Sequence, residues 1–141
     1  MSTTLSAVAK RWFEEVWNER RVDAIDELAH PDVVFHDPSV GAVEQIGAAG
    51  FKEVVRTLTG AIPDIHFTVE DAITERDRVA LRFTVTGTHT GPGLGPVATN
   101  RKFEIGGMVI GKYRDGKLVE GWNSLDLLSL FEQLGALQRP V

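Results

Sequence analysis

Cysteine is absent from the 141 residues. That excludes disulfides, thiol nucleophiles and thiolate metal sites together. Basic charge is scarce: 15 Lys and Arg face 20 Asp and Glu, a net charge of −5. Phosphate binding needs a basic face, so nucleic acid is not an expected partner. No stretch approaches the roughly 18 apolar residues of a membrane span. Ser2–Ala9 is too short and mixed for a secretory leader. A cytoplasmic chain without a membrane partner is the expectation. The four histidines are scattered, with no His-x-x-x-His pattern, so neither a metal nor another cofactor is expected. Repeats, linkers and low-complexity blocks are missing as well. The 43% hydrophobic content is ordinary for a folded domain, and residues 1–141 are read as one domain.

Leu5, Ala9, Trp12, Phe13 and Val16 recur at helical spacing opposite Lys10, Arg11, Glu14 and Glu15, which predicts an amphipathic helix to about Asn18. A short helix with Ile25 and Leu28 follows, capped by Asp23 and ended by His30-Pro31. Val33–Asp37 reads as a strand, Ser39–Gly47 as a loop. Phe51, Val54, Val55 and Leu58 mark a third helix, ended by Gly60.

The period then changes to two. Ile65, Phe67 and Val69 alternate with polar residues, and Arg76-Asp77 makes a turn. In Val79–Thr90 one face carries Leu81, Phe83, Val85, Gly87 and His89. The loop Gly91–Asn100 leads to a strand over Lys102–Arg114, in which Gly106-Gly107 suggests a bulge or bend. Asp115-Gly116 predicts a hairpin to Leu118–Ser124. Leu127, Leu130, Phe131 and Leu134 form a last helical face stopped by Gly135. Helices first, then a meander, then a helical tail indicate an α+β fold: N-terminal helices packed on a curved antiparallel or mixed sheet that encloses a pocket.

This order carries a set of segments: Trp12-Phe13-Glu14-Glu15-Val16-Trp17-Asn18, His30-Pro31-Asp32-Val33-Val34-Phe35-His36-Asp37, Ala61-Ile62-Pro63-Asp64-Ile65-His66-Phe67, Val85-Thr86-Gly87-Thr88-His89-Thr90-Gly91, and Asp115–Asp126 followed by Gln133-Leu134-Gly135. Together they resemble the SnoaL-like polyketide cyclase family, within the NTF2-like cone-shaped fold. The resemblance implies cofactor-free acid/base chemistry on a polyketide-like polycarbonyl or other enolisable substrate. A carboxylate removes a proton between carbonyls, and the enolate adds to a second carbonyl in an aldol-type closure. It assigns the acid/base aspartate to Asp126. The chain departs from the pattern at Met108-Val109-Ile110-Gly111-Lys112, where related cyclases carry a histidine. Either a histidine partner then comes from another strand, or the chemistry differs.

Two readings stand beside each candidate. Asp126 shares its strand parity with Trp122 and Ser124, so all three point to one face, yet it also precedes an apolar helix and suits an N-cap. His89 ends an apolar face and is a candidate acid or oxyanion donor; the alternative is a partly buried ring bonded to a loop carbonyl. His36 and Asp37 alternate, and His36 is taken as the cavity-facing one. Trp17, Trp122, Ser124 and Phe83 are candidate substrate contacts, with ordinary packing the competing role. Asn123, of opposite parity to Trp122, is expected outside unless a bulge intervenes. Gly91-Pro92-Gly93-Leu94-Gly95-Pro96 lacks the amides and the G-K-[ST] of a phosphate loop and reads as a hairpin connection. A non-catalytic binder of a small apolar ligand and a ketosteroid-isomerase-like proton shuttle are the alternative functions. Arg82, Thr84, Thr86, Met108 and Ile110 form an outer sheet face, and pairing through it, as in related folds, makes a homodimer the expected state.

Overall fold

Thr4 opens the first helix by accepting a hydrogen bond from the Ala7 amide at 3.2 Å, which satisfies one of the unpaired donors of a helix start. The computed structural model describes residues 4–37, 43–93 and 97–135; of Asp37 and residues 43–46 the backbone alone is described. Helix α1 (Leu5–Arg11) runs without interruption into a π-helical segment, Trp12–Asn18. The Glu19 amide closes that segment on the Glu14 carbonyl at 2.8 Å. The expected helix is present, with a wider second half. Trp12, Phe13, Val16 and Trp17 are all buried, two columns of side chains rather than one stripe.

Asp23 precedes α2 (Ala24–Leu28) but makes no side-chain capping bond, contrary to expectation. Strand β1 (Ala29–Asp37) begins earlier than the sequence suggested. Pro31 lies where its pairing with the neighbouring strand is interrupted, between Ala29 and Val34, as a residue without an N–H requires. Strand β2 (Val43–Ile46) pairs antiparallel with β1 inside the expected loop, too short for its period to register. Residues 39–42 of that loop lie outside the described residues, as do Pro38 before it and 94–96 of the glycine- and proline-rich connection. Helix α3 (Ala48–Ala61) passes through Gly60 before it ends.

The meander is as read: β3 (His66–Glu75), β4 (Arg78–Thr88), β5 (Lys102–Arg114) and β6 (Lys117–Leu125), then α4 (Leu127–Gln133). Asp115 and Gly116 at the β5–β6 turn both have positive φ, 53° and 78°, the conformation Asp-Gly favours in a two-residue hairpin. The six strands form one sheet in the order β2-β1-β6-β5-β4-β3. Every pair is antiparallel except β1 with β6. The α+β class and helix-covered mixed sheet are thus as expected.

Gly106 and Gly107 are not a bulge, because β4 and β5 pair without a register shift along their whole length. A Cβ on Gly107 would lie 2.7 Å from the Phe83 ring; the glycine makes room for that ring. The register shift that matters falls elsewhere, between Lys112 and Tyr113 in the β5–β6 pair. Leu118 is buried before it and Gly121 after it, so strand parity changes within β6.

Two amide side chains stand in for missing strand neighbours. On the free edge of β3, Asn18 donates to the Phe67 carbonyl and accepts from the Phe67 amide, both at 2.8 Å. On β5, past the end of β6, Gln133 does the same for Glu104, at 2.9 and 2.8 Å. Replacing Asn18 with alanine strands two part-buried backbone groups. We expect a loss of about 1–3 kcal/mol, visible as a lower denaturation midpoint with an unchanged m-value.

Candidate functional site

The helix-covered side of the sheet is filled by rings. Phe35 stacks on Phe51 at 4.4 Å, and Trp12 meets Phe51 at 5.1 Å. Trp17 lies 4.8 Å from Phe67, Phe13 lies 5.0 Å from Phe83, and Phe67 and Phe83 are 5.5 Å apart. Trp17 and Phe83, expected as substrate contacts, are members of this cluster and are buried at 4% and 3% exposure.

Two cavities among the described residues open on the surface. One, of about 580 Å³, runs between the first helix and β3 and includes Lys10, Glu14, Asn18, His66 and Thr68. The other, of about 520 Å³, lies over Asp64, Thr88, Lys102 and Gln133. Burial raises the pKa of the Asp64 carboxyl, but hydrogen bonds from the Thr88 hydroxyl and amide, with Lys102 nearby, outweigh it and hold Asp64 below its ordinary value. Neither groove gathers the expected catalytic residues.

The bulge in β6 inverts the expected assignment there. Trp122 pairs with Ile110 and Ser124 with Met108, and these partners lie on the outer face, 43% and 59% exposed. Trp122 and Ser124 therefore face away from the helices. Asn123, expected outside, pairs with Val109 and shares its inward face between Gly121 and Leu125. His36 is likewise on the outer face, because Val33 and Phe35 take the inward positions of β1. Its Nε2 lies 2.7 Å from Glu120 Oε2, its ring stacks on Trp122 at 5.4 Å, and the Arg78 guanidinium covers Trp122 at 5.5 Å. This is an outer-surface cluster, not a cavity wall.

Asp126 is exposed and caps α4: its Oδ1 accepts from the Ser129 amide at 3.1 Å. Its own amide donates to the Gly106 carbonyl at 3.2 Å.

His89 is different. It continues the β4–β5 ladder one step past the regular strand: its amide donates to the Arg101 carbonyl at 3.0 Å, and its carbonyl accepts from the Asn100 amide at 2.8 Å. Only 1% of the residue is exposed. Nδ1 accepts from the Thr99 amide at 3.3 Å and lies 3.2 Å from the Thr99 hydroxyl. Nε2 is buried without any hydrogen-bond partner, the one such side-chain atom among the described residues. Proteins rarely leave a buried polar group unpaired, so this nitrogen calls for an explanation. Thr99 was not identified from the sequence; it lies ten residues from His89 across the glycine-rich connection, where no periodicity operates. Among the described residues no cluster of His, Asp and Glu is arranged to hold a metal, and no helix is long and apolar enough to cross a membrane.

Helices laid across one face of a mixed six-stranded sheet, with a buried imidazole past the end of a central strand, define an α+β protein of the NTF2-like fold. More narrowly, the chain belongs to the SnoaL-like polyketide cyclase family, whose model matches residues 7–134. Among solved structures it is similar to AclR of Streptomyces galilaeus, provisionally assigned as a hydroxylase, at 28% identity and TM-score 0.83, over 97% of this chain and 88% of that one. IdmH of Streptomyces antibioticus, provisionally assigned as a polyketide cyclase, is 28% identical with TM-score 0.83, over 94% and 99% of the two chains. TsrD of Streptomyces laurentii is 29% identical with TM-score 0.82, over 97% and 100%. No curated protein sequence matches significantly.

Proposed function

We propose that the chain is a cytoplasmic, homodimeric cyclase. It would catalyse cofactor-free, aldol-type closure of a polyketide-like or other enolisable polycarbonyl compound. Family membership supports the reaction class. The observation that carries the reading is the unpartnered Nε2 of His89, a buried donor suited to a substrate oxygen. Asp126 is the proposed base. Its Oδ1 serves the helix cap, which leaves Oδ2 to take a proton. Flanking carbonyls delocalise the carbanion, so the substrate supplies most of the acidity and a carboxylate suffices.

His89 is tied to Arg101, just before β5, and Asp126 to Gly106 within it, five residues apart, or about 16 Å of extended strand. In this reading the two act separately, His89 as an interior donor and Asp126 as a base at the surface.

Asp126→Asn tests the base directly, since asparagine caps helices as well as aspartate does. With a β-keto ester probe in deuterated water, the variant should lose about 10²–10⁴-fold in exchange rate at unchanged stability. Undiminished exchange would remove Asp126 from the mechanism. The exposed, capping Asp126 favours a second reading, a non-catalytic binder of small apolar ligands, which predicts no exchange by either protein. For the homodimer, the outer face offers Met108, Ile110 and Trp122 among Arg82, Asp71 and Glu120, apolar area with charges of both signs that can complement a second copy. Sedimentation should give twice the mass of one chain, and Ile110→Asp should halve it.

A further inference from the structure

His89 has two ring nitrogens in unlike surroundings, and the difference decides what the residue can do. A backbone amide can only donate, so the Thr99 N–H at 3.3 Å requires a lone pair on Nδ1. The Thr99 hydroxyl stands at 3.2 Å from the same nitrogen. Its oxygen accepts from the Arg101 amide at 3.4 Å, so its hydrogen is available to Nδ1 as well. The neutral ring must then carry its proton on Nε2, the buried nitrogen without a partner. His89 therefore presents an N–H to the interior, not a lone pair. An acceptor completes that N–H, whereas an ammonium or amide N–H arriving there meets another donor.

We infer that the Thr99 amide is a positioning group that fixes the Nε2–H tautomer of His89. Nε2 thereby presents an N–H that is complementary to a carbonyl or enolate oxygen, and His89 is a donor and not the base. This rests on the cyclase reading only for the identity of the oxygen-bearing ligand; the tautomer follows from contacts within the chain.

Long-range ¹H–¹⁵N correlation spectra of the ¹⁵N-labelled full chain read the tautomer of each histidine, and the His89→Gln variant assigns the signal by its disappearance. The expected result is a protonated Nε2 and a bare Nδ1 at neutral pH. Thr99→Val, which keeps the amide and removes the hydroxyl, should leave that pattern unchanged. Adding cyclohexane-1,3-dione should shift the Nε2–H proton downfield, and cyclohexylamine at the same concentration should not. A protonated Nδ1 in the wild-type chain, a flip of tautomer in Thr99→Val, or an equal response to the amine overturns the inference. An Nε2–H signal that responds to the dione in a protein without exchange activity upholds it while removing the cyclase reading. A protonated Nδ1 in an active protein does the reverse.

Discussion

Alanine at position 91 is expected to destabilise the protein by about 3 kcal/mol or more, at or beyond the upper end of ordinary overpacking. The added Cβ would lie 1.9 Å from the Gly60 carbonyl oxygen and 3.0 Å from its carbon. Both are backbone atoms of α3, so no side-chain rotation relieves the overlap. The Gly91 amide also donates to the Ala61 carbonyl at 2.9 Å. To clear the clash, the segment after His89 must leave the end of that helix. Gly50→Ala is the control: nothing lies within 4 Å of its added Cβ. In the first turn of α3 that change should stabilise by about 0.5 kcal/mol. Equilibrium denaturation of the two variants should shift the midpoint in opposite directions. A Gly91→Ala protein as stable as the parent would show that this close approach is not obligatory.

The second large effect is on activity. His89→Phe keeps a ring of similar shape and removes the donor. If the Nε2–H anchors a substrate oxygen, kcat/KM should fall about tenfold to a hundredfold, the worth of one buried hydrogen bond at 1.4 kcal/mol per decade. The folded state should change little in stability, because phenylalanine removes an unpaired buried N–H but also the acceptor of the Thr99 amide. A variant with full activity would mean that Nε2 never meets the substrate. A variant that loses stability and activity together would assign His89 a structural role through Thr99.

Several features that carry the family resemblance have mechanical explanations in this fold. Asn18 and Gln133, each in a quoted segment, complete the hydrogen bonding of strand residues that lack a strand on one side. Asp64 fastens the turn after α3 to the end of β4 through both donors of Thr88. Gly91 allows a close backbone approach, and Asp115-Gly116 adopts the positive φ values of its turn. Such residues identify an architecture without identifying a reaction.

Element order, the change of period from 3.6 to 2, the hairpin at Asp115-Gly116 and the cap at Asp126 were legible in the chain, because each depends on residues close in sequence. The inward orientation of His89 was legible for the same reason, since β4 keeps an unbroken alternation from Val79 to Gly87. Tertiary structure decided the rest. The bulge opposite Lys112 and Tyr113 reversed the faces of Trp122, Ser124 and Asn123, and alternation read along one strand does not reveal a residue inserted against its neighbour. His36 turned outward because Phe35 fills the ring cluster beneath the π-helical segment and α3. The tautomer of His89 was set by Thr99, ten residues away, because hydrogen-bond direction depends on which groups meet in space.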